Sequence, residues 1–233
     1  MDKVPESPRR GLNWLWREWV WPILLVVAIV MPLRSSIADW YDIPSGSMIP
    51  TILEGDRVVV NKLAYDLKVP FTSVEIAHWA NPRRGDVIVF RSPADGTRLV
   101  KRVIGLPGDT LSLVQNRLWI NGQPVQYEPL EPPDNLKSQG DSWRYDVVEE
   151  SLPGKSHAVM FTSGVPARRS FGPVVVPGGH YFVMGDNRDN SNDSRFIGTV
   201  PRESIAGRAT AVALSFDRKH WFLPRFKRFF RGL

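Results

Sequence analysis

Hydrophobic positions along the 233 residues fall into three regimes. Residues 19–33, WVWPILLVVAIVMPL, form one uncharged run without alternation, which predicts a helix facing apolar surroundings on every side. After it the apolar runs are short and rich in β-branched residues: 57–61 (RVVVN), 86–90 (DVIVF), 99–104 (LVKRVI), 111–114, 117–120, 180–184 and 206–214. Flanking Gly, Pro, Asn and Asp make these strands. The 20 prolines and 18 glycines interrupt the chain too often for long helices, and Asn121-Gly122 predicts a tight hairpin turn. The fold class that follows is mainly β, preceded by one transmembrane helix.

Between 123 and 177 the pattern weakens. Residues 128–134 and 163–166 read as extended loops around two weak strands near 145–148 and 157–161, which predicts an inserted β subdomain. At the other end Phe226, Phe229, Phe230 and Leu233 fall at i, i+3, i+4 and i+7, with Arg225, Lys227, Arg228 and Arg231 between them. That spacing predicts a short amphipathic helix, lying on lipid or packed on the body.

A membrane crossing takes about 20 apolar residues. Trp14, Trp16, Trp19 and Trp21 extend the short run as an interfacial belt, and Pro22 and Pro32 sit near its ends. The competing reading is a cleavable secretory signal, because Ser36-Ile37-Ala38 offers small residues at cleavage offsets. The tryptophan load favours a retained anchor. Lys3, Arg9, Arg10 and Arg17 precede the run and Arg34 alone closely follows it, which places the amino terminus in the cytoplasm and everything after residue 38 outside. The expected organisation is a cytoplasmic segment 1–18, an anchor 19–37, a core 38–122 and 178–216 around the insertion 123–177, and a tail 217–233.

The net charge of +6 sits at the two ends. Residues 1–34 carry +2 and residues 217–233 carry +5, leaving −1 on the body, which argues against a nucleic-acid partner. With no cysteine there is neither a disulfide framework nor a thiolate metal site.

Chemistry concentrates in three places. Ile43-Pro44-Ser45-Gly46-Ser47-Met48-Ile49-Pro50-Thr51 is a stiffened loop able to aim Ser47 and its backbone N–H at one carbonyl, or else a polar turn. Lys101 interrupts an apolar strand. On a buried face it loses hydration and becomes a usable base, with Arg102 pointing outward; the opposite arrangement puts Arg102 inward in an ion pair. The third place is 185–195 (GDNRDNSNDSR), a loop that can bond its own backbone and carry a hydroxyl, Ser191, toward the lysine amine. It lacks the glycine and glutamate of an EF-hand register, and no metal or cofactor is expected. A triad through His78, His157, His180 or His220 stays open, although no G-x-S-x-G surrounds either serine.

Four ordered boxes, Ser45 to Thr51 with Gly55-Asp56, residues 84–90, residues 100–109 and Gly185 to Arg195, resemble the type I signal peptidases, the bacterial serine-lysine leader peptidases. The resemblance covers Tyr41 to about Phe216 apart from 123–177. It implies an antiparallel β-sheet catalytic core with an inserted β subdomain, with Ser47 as nucleophile, Lys101 as general base, and the Ser45 hydroxyl with the Ser47 N–H as oxyanion hole. Ser191 would position the lysine, with Asp193 and Arg195 supporting the loop. Tyr41, Ile43, Pro44, Met48, Ile52, Leu99 and Val100 would line pockets for small side chains one and three positions before the cut. The implied partners are precursors carrying signal peptides, the lipid bilayer and the secretion translocon, at the outer face of a bacterial inner membrane. The chain has one amino-terminal span where larger members have two, and lacks the cysteines some carry. Two other readings are a self-cleaving serine-lysine protease, which would need a DNA-binding domain in place of the span, and a catalytically silent membrane-anchored peptide-binding module.

Overall fold

The computed structural model describes residues 14, 16–69, 72, 74–132, 145–218 and 220–233. Most of the expected cytoplasmic segment (1–13 and 15) and residues 133–144 of the expected insertion lie outside the described residues.

A π-helical turn, Trp16–Val20, leads into helix α1 (Trp21–Ser36). Its 16 residues rise about 24 Å at 1.5 Å each, short of a hydrocarbon core of about 30 Å. No helix among the described residues is long and apolar enough to cross a membrane, so the span expected at 19–37 is not found as one. Residues 21–31 are nevertheless exposed all round.

The chain then enters β1 (Ala38–Asp42), β2 (Asp56–Asn61), the hairpin β3 (Asp66–Lys68) and β4 (Glu75–His78), β5 (Val87–Arg91) and β6 (Arg98–Gly105). Next come β7 (Thr110–Val114), β8 (Arg117–Ile120), β9 (Gln123–Pro124), β10 (Gln126–Pro129), β11 (Tyr145–Leu152), β12 (Lys155–Thr162) and β13 (Phe171–Val175). The final elements are β14 (His180–Met184), helix α2 (Ser194–Ile197), β15 (Val200–Pro201), β16 (Ile205–Asp217), β17 (Leu223–Pro224) and β18 (Arg231–Gly232). The main sheet runs β1-β2-β16-β5-β6-β14-β15, with β17 and β18 added to β16. All its pairs are antiparallel.

Both faces of this sheet are covered. On β5, Val87 and Val89 pack with Ile43, Met48, Ile52, Val58 and Val212, while the alternating Ile88 and Phe90 pack with Val103, Tyr181 and Val183. That is why 86–90 reads as a continuous apolar run rather than an alternating one. A third cluster, including Ile104, Leu111, Leu118, Phe182 and Met184, fastens the sheet β13-β7-β8-β9 to the main one.

Within 123–177, the two weak strands are eight-residue partners, β11 and β12, in a sheet of their own with β10. Their pattern was obscured because inward positions include Glu150 and His157, both buried. Meanwhile β9 and β13 return to the sheet of β7 and β8.

The tail is not the expected helix. Phe226–Arg228 is a 3-10 turn between β17 and β18. Leu233 packs on the core, Phe229 meets Phe216, and Arg228 is buried against Asp56, with Nη2 to Oδ2 at 2.6 Å and to Thr51 O at 3.0 Å. A buried carboxylate and edge pairing with β16 outweigh helical spacing over so few residues.

Candidate active site

Ser45, extended at φ −129° and ψ 152°, enters a 3-10 turn at Gly46–Met48. The loop around this turn is closed at its base: Ile43 N–H donates to Asp56 O at 2.9 Å, and Gly55 N–H to Ile43 O at 3.0 Å. The stretch after β14 holds the turn from the far side. Asn187 N–H donates to Ser47 O and Asn187 Nδ2 to Gly46 O, each at 3.1 Å.

Lys101 reaches the turn from the middle of β6. Its Nζ lies 2.6 Å from Ser47 Oγ and 3.0 Å from Val100 O, and the residue is 2% exposed. Burial pushes its pKa down from 10.5 to about 8; the nearby carboxylates of Asp193 and Asp186 pull the other way without cancelling it. The lysine is thus held close to half neutral at mildly alkaline pH. Ser45 Oγ lies 3.4 Å from Ser47 Oγ.

Arg102 does not point outward as expected. Its face of β6 is covered as well: Arg102 is 1% exposed and grips Asp186 with Nε to Oδ1 at 2.9 Å and Nη2 to Oδ2 at 2.7 Å. Thr51 Oγ1 donates to the same Asp186 Oδ2 at 2.5 Å. The lysine strand, the serine loop and the polar loop are tied at one carboxylate. Burial raises Asp186 but Arg102 more than offsets it, holding the carboxyl below its usual range.

The polar loop brings Asp193 and Arg195 together. Asp193 caps α2 and accepts from Arg195 Nε and Nη2, both at 2.8 Å, and from Gly185 N–H at 3.0 Å. A Cβ on Gly185 would sit 2.3 Å from Ser191 Oγ and 2.4 Å from Ser47 O, so only glycine lets these two segments meet. Ser191 is thereby brought beside the serine turn, yet the hydrogen bonds of Lys101 Nζ go to Ser47 and Val100.

Of the expected pocket residues, Ile43, Met48 and Ile52 are buried in one cluster, with Tyr41 and Val100 half-buried against it. Pro44 is exposed beside the turn. Leu99 packs instead with Ile88, Phe90 and Val103, on the face of β6 that strand alternation shares with Lys101 rather than with Val100.

None of the four histidines bonds Ser47. His157 is buried between Glu150, at 3.3 Å, and Asp186, at 3.7 Å, and burial followed by Arg102 pushes its pKa down to about 4. His78 faces Glu75, His180 bonds Gly178 O, and His220 bonds Asp217. Among the described residues, possible metal ligands gather at Asp66, Glu75 and His78 on β3 and β4, elements that carry neither Ser47 nor Lys101, and Arg202 already holds Asp66 at 2.7 Å. The pairs Arg102 with Asp186 and Arg228 with Asp56 had no sequence signal beyond their charges, because their partners lie 84 and 172 residues apart.

A buried lysine at hydrogen-bond distance from a serine on a tight turn is an arrangement that can activate the serine hydroxyl as a nucleophile. The family model for signal peptidase, peptidase S26, matches residues 16–214, and the chain belongs to that family. Signal peptidase I of Pseudomonas fluorescens is 39% identical over 216 residues, covering 87% of this chain and 74% of that protein. Signal peptidase I of Pseudomonas aeruginosa is also 39% identical, over 220 residues with the same coverage. A crystal structure of a signal peptidase I from Enterococcus faecalis V583 covers 56% of this chain and 98% of its own, at 32% identity and a TM-score of 0.34. The chain is a hydrolase, a serine protease of signal-peptide removal.

Proposed function

We propose that Ser47 and Lys101 cut signal peptides from exported precursors after small residues. The observation that carries this is the 2.6 Å contact between a buried Lys101 Nζ and Ser47 Oγ. Neutral Lys101 accepts the Ser47 proton as Oγ attacks the scissile carbonyl carbon, and the C=O electron pair moves onto oxygen. The Ser45 hydroxyl and the Ser47 N–H steady that oxyanion. The lysine ammonium then gives its proton to the leaving amine, leaving an acyl ester on Ser47. Water, deprotonated by the same lysine, attacks the ester and restores the serine. Asp193, Arg195 and Ser191 hold the loop against Gly185, which fixes where Ser47 O lies.

The precursor would dock extended, its small side chains meeting the cluster of Ile43, Met48, Ile52, Tyr41 and Val100 beside Pro44, while Leu99 packs with Ile88, Phe90 and Val103 instead of with that cluster. The site is held at the outer surface of the bacterial inner membrane. Support comes from α1, which is apolar on all sides and exposed throughout 21–31, a surface that water disfavours and lipid accepts. The apolar run that begins at Trp19, with the tryptophans before it, adds length to the 16-residue helix. Cleavage of a secretory precursor by purified chain, compared with Ser47→Ala, tests the reading; turnover that survives the substitution ends it.

A further inference from the structure

One cavity is not lined by Ser47, although it shares Tyr41 with the apolar cluster beside the serine turn. It measures about 790 Å³ and is bounded by the carboxyl end of α1, by β1 and β3, and by the ends of β5 and β6. Ser36, Lys62, Lys68, Arg91 and Arg98 line it. Its acidic lining is Asp66 and Glu203, and Asp66 is already taken by Arg202 at 2.7 Å. Positive charge therefore prevails.

Two details mark the cavity as built for an anion. Arg91 and Arg98 are direct cross-strand partners on β5 and β6, where like charges repel. Neither has a carboxylate partner among the described residues; Arg98 lies instead over the Tyr41 ring at 4.3 Å. Both arginines are exposed, so solvent screens part of that repulsion, and one bound anion would offset the rest. The second detail is Ser36, the last residue of α1, which is 8% exposed, lines the cavity and leaves its hydroxyl without a hydrogen-bond partner. A hydroxyl donor and two guanidinium-bearing side chains thus line one cavity at the foot of the apolar helix.

The geometry points to a binding site for the phosphate of an anionic phospholipid, held by Arg91 and Arg98 with Ser36. Guanidinium groups match phosphate oxygens in pairs, and the acyl chains would run along the exposed sides of α1. Lys62 and Lys68 add positive potential, though Lys62 faces Asp39 at 3.4 Å and Lys68 donates to Ile205 O at 2.7 Å. This inference rests on α1 standing in lipid. It gives the catalytic body a fixed orientation on the bilayer through the two strands, β5 and β6, of which β6 also carries Lys101.

The test uses the full chain in detergent, titrated with dihexanoyl phosphatidylglycerol, dihexanoyl phosphatidylcholine, inorganic phosphate and a short acidic peptide. Saturable, salt-sensitive binding of phosphatidylglycerol is expected, and Arg91→Glu is expected to weaken it about tenfold or more. Arg91→Glu replaces the like pair by an opposite pair, so its melting temperature should rise without lipid while the lipid-induced rise disappears. Equal phosphatidylglycerol binding by wild type and variant overturns the proposal. So does phosphate or the peptide binding as tightly as the lipid, since the site then serves a free anion or an acidic chain. Protease protection of the amino terminus in sealed vesicles reports separately on the anchor.

Discussion

Lys101 Nζ lies 2.6 Å from Ser47 Oγ although 54 residues separate them, and its closeness depends on three segments meeting at Asp186. Ser47→Ala and Lys101→Met should each abolish cleavage of a precursor while the fold persists. Because nucleophile and base act as a unit, the double variant should be scarcely slower than either single one. Single-turnover rates for the three variants check this, and substantial turnover in Lys101→Met would remove the lysine from its role.

The pH dependence follows from burial. With its pKa near 8, Lys101 is protonated below that pH and cannot accept the serine proton, so kcat/KM should fall on the acid side with one limb near pH 8. Replacing all four histidines should leave the limb in place. A profile whose limb moves with His157, the most buried of them, would contradict it.

The same shift has a stability consequence. A lysine of pKa 10.5 in the unfolded chain and about 8 in the fold binds more protons unfolded, so stability rises with pH across that window and is lowest below it. The change amounts to roughly 3 kcal/mol. Lys101→Met should therefore be more stable than the wild type at pH 7, with the advantage shrinking by pH 10. Urea denaturation at the two pH values decides it.

Gly185→Ala should be inactive. The added carbon lands 2.3 Å from Ser191 Oγ and 2.4 Å from Ser47 O, forcing the two loops apart and breaking the Asn187 N–H bond to Ser47 O. Rates should fall by about two orders of magnitude or more, as a misplacement near 1 Å does. Wild-type kcat in this variant would show that the loop contact is dispensable.

The tail gives a prediction about folding. Arg228→Met leaves Asp56 buried with less compensation and should cost about 3–5 kcal/mol, whereas Asp56→Asn combined with Arg228→Met should recover part of that. Arg225, 3.8 Å from the same carboxylate, limits the loss. Thermal unfolding of the single and double variants measures the coupling.

Specificity should follow the apolar cluster beside Ser47. A precursor with Ala one and three positions before the cut should be processed, and Phe just before the cut should be rejected, because overfilling a packed site costs about 1–3 kcal/mol. Efficient cutting after Phe, Lys or Glu in matched precursors would point to another specificity.

The sequence by itself determined the mainly β class, the strands that follow local alternation or continuous apolar runs, and the boxes holding Ser45, Ser47, Lys101, Ser191, Asp193 and Arg195. Those are matters of residue type and spacing along the chain. It did not determine the fate of Arg102, because strand alternation fixes only that Arg102 opposes Lys101; whether both faces are covered depends on segments far away. Nor did it reveal the full length and pairing of β11 and β12, read only as two weak strands, because buried Glu150 and His157 break the apolar pattern and are held by Tyr127, Arg188 and Asp186. Helical spacing in the tail yielded to a buried carboxylate, Asp56, 172 residues away. Local propensity is a short-range preference of small size, whereas a buried charge must find its partner wherever the fold places it, and that only the tertiary structure decided.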